Sequence, residues 1–71
     1  MKYRVAAQKL RVLGCEELPR HGAGSHRVWH NPQNGKIAPL PDWGAKDIKL
    51  GTLRAVIRQL GLDWQEFSKA K

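Results

Sequence analysis

The chain has 71 residues, 41% of them hydrophobic, with 13 Lys and Arg against 6 Asp and Glu and a formal charge of +7. A chain this short supports one modest core and therefore a single domain, 1–71, and its charge favours a polyanionic partner, nucleic acid first. No run approaches the ~20 apolar residues of a membrane-spanning helix, and the lone Cys15 excludes both an intramolecular disulfide and any zinc site built on two or more thiolates.

At the N-terminus charges are threaded through the apolar residues, so the uninterrupted apolar region of a secretory signal is missing and a cytoplasmic location is expected. In the same segment Tyr3, Ala6, Leu10 and Leu13 form one stripe of an amphipathic helix, which Gly14 can end in the left-handed conformation. Cys15 just beyond it reads as a small apolar packing residue rather than a nucleophile. Residues 15–20 carry Pro19 and suit a short edge strand. The Gly22-Ala23-Gly24 turn then leads into a second strand from Ser25 to His30, and Asn31-Pro32-Gln33-Asn34-Gly35 makes a turn. Lys36 to Pro41 forms a third strand, placed at the sheet edge because Pro39 cannot donate to a ladder.

Leu53, Val56, Ile57 and Leu60, followed by Gly61, give the clearest helix, with Thr52 as its expected N-cap. Asp63 and Glu66 read as a capping box opening a short last helix with Trp64 and Phe67, and Lys69 and Lys71 as a frayed end. The order helix, three antiparallel strands, helix, short helix is an α+β domain with helices stacked on one sheet face and the other face open.

Lys46 and Lys49 precede the second long helix, and Arg54 and Arg58 stand four apart on one flank of it. This set suits phosphates, because a helix start already presents free amides and partial positive charge. The plainer alternative is a solvated basic face. His26 and His30 have the spacing of a helical zinc pair, but in a strand they stand about 13 Å apart, so no metal is expected.

An imidazole near neutrality can give or take a proton, and RNA brings its own nucleophile in the 2′-hydroxyl; one histidine beside the scissile phosphate, with cations to spread charge, suffices for transesterification. Alternation along the strand places His26, Val28 and His30 on one face and Arg27 and Trp29 on the other. Turning the large Trp29 inward leaves His26 on the open face. Trp29, Trp64 and Phe67 are assigned to packing, whereas Trp43 suits either stacking on an unpaired base or packing over the core edge.

The run Leu10-Arg11-Val12-Leu13-Gly14, then Gly24-Ser25-His26, Pro41-Asp42-Trp43-Gly44 and Lys46-Asp47-Ile48-Lys49-Leu50-Gly51-Thr52-Leu53-Arg54, resembles HicA toxins over most of the chain. The resemblance implies a double-stranded RNA-binding-domain-like fold and an mRNA-cleaving toxin, neutralised by a HicB-like antitoxin. It also implies that His26 is the catalytic residue, that Gly24 and Ser25 shape the turn presenting it, and that Lys46, Lys49 and Arg54 position RNA. Three features depart from the family pattern: Cys15 replaces an aromatic residue, the segment from Glu16 to Ala23 is longer, and Trp43 stands where many relatives have a second histidine.

The last departure counts against a two-histidine mechanism and leaves His21 and His30 open as partners of His26. The expectation is a metal-independent endoribonuclease toxin without membrane attachment or small-molecule cofactor. Two other readings stay open: a non-catalytic module that recognises RNA helix shape, and a basic surface that mainly docks an acidic protein.

Overall fold

The structure, a computed structural model, describes residues 1–19 and 26–71. In chain order these form helix α1 (Tyr3–Val12), strands β1 (Glu16–Glu17), β2 (His26–Asn31) and β3 (Lys36–Pro41), helix α2 (Leu50–Gln59) and helix α3 (Trp64–Lys69). The expected Gly22-Ala23-Gly24 turn lies outside the described residues. The three strands make one antiparallel sheet in the order β1-β2-β3, so both proline-bearing segments lie at edges and β2 is central. This is the expected α+β architecture, consistent with a double-stranded RNA-binding-domain-like fold. No helix among the described residues is long and apolar enough to cross a membrane.

Both long helices end by the same device. Beyond α1, Gly14 (φ +89°) lets the Cys15 amide donate to Leu10 O and the Gly14 amide to Arg11 O. Beyond α2, Gly61 (φ +70°) lets Leu62 donate to Ile57 O and itself donates to Arg58 O. A side chain at either position would be strained in this left-handed region. The start of α2 differs from expectation. Its N-cap is Lys49, not Thr52, because Leu53 N already donates to Lys49 O at 3.0 Å and residues 50–52 are wound into the first turn. Buried Ile48 anchors the chain just before that turn, its amide bonded to Met1 O. Asp63 does cap α3, accepting from the Glu66 amide at 3.0 Å.

Trp29, Leu40 and Ala38 on the inner sheet face meet Ala6, Ala7 and Leu10 of α1, Leu53, Val56, Ile57 and Leu60 along α2, and Phe67 of α3 in one core. Cys15 is buried in this core, and burial pushes its thiol pKa up, in keeping with a packing role. The frayed end expected at Lys69 and Lys71 is corrected: Lys69 closes α3 and Ala70 is buried. Lys9 Nζ holds this end by donating to Ser68 O (2.8 Å) and Ala70 O (2.7 Å), where the carbonyl end of α3 favours a cation.

Candidate nucleic-acid interface

Strand register decides where His26 stands. Trp29 is fully buried and pairs with Ala38, which turns His26, Val28 and His30 to the opposite face together with their partners Pro41, Pro39 and Ile37. That face is open along most of its length: His26 and Pro39 are exposed and Ile37 is 57% exposed, while Pro41, the partner of His26, is buried. His26 opens β2, at the end of the sheet where β3 finishes with Pro41. Gly24 and Ser25, expected to shape the turn before it, and His21 lie outside the described residues. His30, the other open partner, sits four residues along the strand, about 13 Å away. Its Nδ1 is 3.1 Å from Glu16 Oε1, so that imidazole is engaged at the far edge of the sheet.

A polar network that sequence spacing did not reveal fixes the strand next to His26. Arg27 Nη1 donates to Glu17 Oε2 at 3.2 Å, and Arg27 Nε lies 3.0 Å from Asp42 Oδ2 as an ion pair without hydrogen-bond alignment. One guanidinium therefore ties β2 both to β1 and to the loop after β3. Tyr3 of α1 joins in, its hydroxyl donating to Glu17 Oε1 (2.9 Å) and accepting from Trp29 Nε1 (3.3 Å), while Arg27 stacks 5.4 Å from the Tyr3 ring centre. Burial raises the Tyr3 pKa above 10.0. These residues come from four distant segments, so no local pattern could have announced them.

Beyond Pro41 the chain is set by local bonds: Asp42 Oδ1 accepts from the Gly44 amide (3.1 Å), and the Lys46 amide donates to Trp43 O (3.2 Å). This turn brings Trp43, Lys46, Asp47 and Lys49 around one hollow of about 480 Å³. Arg54 and Arg58 line a different hollow, with Ile57, Leu62 and Trp64, and the Arg54 guanidinium lies 5.0 Å over the Trp64 ring. The four expected cations are thus all displayed along the start and flank of α2, divided into a lysine pair beside Trp43 and an arginine pair beside Trp64. At the start of α2 no side chain caps the first-turn amides and no acidic residue stands in that turn, so the helix end keeps its positive character.

The family model for the HicA toxin of bacterial toxin-antitoxin systems matches residues 4–62, which run from α1 through the Schellman end of α2 and include His26, Trp43 and all four cations. The chain belongs to the HicA toxin family. It is 37% identical over 62 residues to a Pseudomonas fluorescens (strain Pf0-1) protein named probable mRNA interferase HicA, an alignment covering 87% of this chain and 97% of that protein. No solved structure matches the chain. As a HicA-family chain it is a toxin of a toxin-antitoxin system, and helix α3 lies outside the matched segment.

Proposed function

We propose that this HicA-family chain is an endoribonuclease that cleaves mRNA in the cytoplasm by a metal-independent transesterification, with His26 as its general acid/base. The observation that carries the reading is the place of His26: exposed at the start of the central strand, on the open sheet face, beside the loop that leads to Lys46, Lys49 and α2. The naming of a 37% identical relative as a probable mRNA interferase supports the substrate class.

In this reaction the RNA 2′-hydroxyl oxygen bonds to the adjacent phosphorus and the bond from phosphorus to the 5′-oxygen breaks. The proton lost by the 2′-hydroxyl passes to His26, which returns a proton to the departing 5′-oxygen, leaving a cyclic phosphate and a free 5′-hydroxyl. The lysine pair Lys46 and Lys49, and Arg54 and Arg58 along α2, hold backbone phosphates of the RNA and so position the scissile bond. No atom in this balance has to come from a metal or an organic cofactor. A HicB-like antitoxin would neutralise the activity by covering this face.

His26→Ala tests the reading. Purified protein should lose roughly 10²- to 10⁴-fold in cleavage rate, the usual contribution of general acid/base help, with RNA binding retained. Expression of the native chain should arrest growth with loss of intact mRNA, and the equally abundant, folded variant should do neither. Cleavage that stays equal in the two proteins would remove His26 from the chemistry; RNA binding with no cleavage by either would make the chain a non-catalytic RNA module.

A further inference from the structure

The three tryptophans have different fates. Trp29 is fully buried, and Trp64 is half-buried against the core with one ring face under Arg54. Trp43 is 37% exposed, and among the described residues neither a guanidinium nor another ring stacks on it. An isolated surface aromatic would need no explanation. Trp43, however, lines a hollow with Lys46 and Lys49, whose two positive charges exceed the single negative charge of Asp47 in the same hollow. Its loop is held by the Asp42 carboxylate on the Gly44 amide, by the Lys46 amide on Trp43 O and by the Arg27–Asp42 ion pair, so little freedom remains to be lost when a ligand docks. The ring also stands two residues beyond Pro41, the strand partner of His26.

We propose that Trp43, Lys46 and Lys49 form a nucleotide subsite in which the indole stacks on one unpaired RNA base while the lysines hold its flanking phosphates, restricting the toxin to single-stranded RNA near its histidine. The inference rests on RNA being the substrate and gives that substrate a strand state. In a duplex the faces of the bases are covered by their neighbours, so an exposed indole has nothing to stack on; a single strand offers a face at every base. Because stacking tolerates any base, the subsite selects unpaired RNA without selecting sequence.

The test uses the full chain and a short unstructured 2′-O-methyl oligoribonucleotide, which cannot be cleaved, with a blunt duplex of the same sequence as comparison. The single strand should quench tryptophan fluorescence, the duplex should quench it much less, and Trp43→Phe should remove most of the change, because Trp29 is fully buried and Trp64 is half-buried with one ring face under Arg54. Trp43→Ala, shown to be folded by circular dichroism, should bind the single strand roughly 5- to 150-fold more weakly. Equal quenching by duplex and single strand, or unchanged affinity in folded Trp43→Ala, would overturn the subsite. So would a folded Trp43→Ala that keeps its RNA affinity but loses its antitoxin, since Trp43 would then be a protein contact. As the probe is uncleavable, failure of His26→Ala to abolish cleavage would reject the catalytic assignment and leave this result standing.

Discussion

Asn31 offers the sharpest test of how the hairpin that carries His26 is held against the helix that carries the cations. It is the one buried polar residue among those described, 2% exposed at the end of β2. Its Nδ2 donates to Leu60 O at 2.8 Å, and its Oδ1 accepts from the Gln33 amide at 3.1 Å. Asn34, in the turn after β2, donates to the same Leu60 carbonyl at 3.0 Å. Two asparagines thus clamp the β2–β3 turn onto the end of α2.

Asn31→Ala removes two hydrogen bonds at about 0.5–1.5 kcal/mol each, a net loss of about 2 kcal/mol, because Leu60 O keeps one donor and the exposed Gln33 amide can turn to water. In a domain of this size that should lower Tm by roughly 8–16 °C. Asn34→Ala alone should cost about 1 kcal/mol. The double variant should cost more than the sum, by up to about 1–3 kcal/mol, since only then is the buried carbonyl left without a partner. Thermal unfolding followed by circular dichroism, with urea titrations for the free energies, measures all three. Strict additivity, or a Tm drop of less than about 3 °C in Asn31→Ala, would refute the shared-carbonyl clamp.

Two further outcomes follow from the charges and the buried phenol. Binding of single-stranded RNA should weaken with salt with a log–log slope near −2.8 if Lys46, Lys49, Arg54 and Arg58 each meet one phosphate. Replacing any one of them by Ala should make the slope shallower by about 0.7, and a residue whose loss leaves the slope unchanged is not a phosphate contact. Tyr3 is the single tyrosine, so phenolate absorbance reports it alone. With its folded pKa raised above 10.0 by burial, it contributes stability that is complete below pH 10 and is lost as pH rises through the folded value. The native protein should therefore titrate above 10.0 and the urea-unfolded chain near it, and Tyr3→Phe should flatten the alkaline fall in stability; coincident titrations would disprove the shift.

Much of the fold could be read from local sequence because its signals act over a few residues. The Leu53, Val56, Ile57, Leu60 stripe and the glycines at 14 and 61 set two helices and their ends, Asp63 set the start of α3, and alternation with Trp29 turned inward placed His26 outside. The cap of α2 was misplaced at Thr52 because a residue fit to cap says nothing of where the preceding chain is anchored, and burial of Ile48 fixed that. The end of the chain was expected to fray because nothing in its sequence shows that Lys9, some sixty positions earlier, reaches its carbonyls.

Among the candidate site residues, sequence alone determined their identities, the positive charge around α2 and the side of the strand on which His26 lies. Tertiary structure decided which of them are neighbours. It divided the cations into a pair with Trp43 and a pair with Trp64, left the Trp43 ring exposed, sent His30 to Glu16, and joined Arg27 to Glu17 and Asp42. Periodicity and capping are properties of adjacent residues, whereas such pairings depend on how sheet register and helix packing bring distant segments within a few ångströms, which no local pattern encodes.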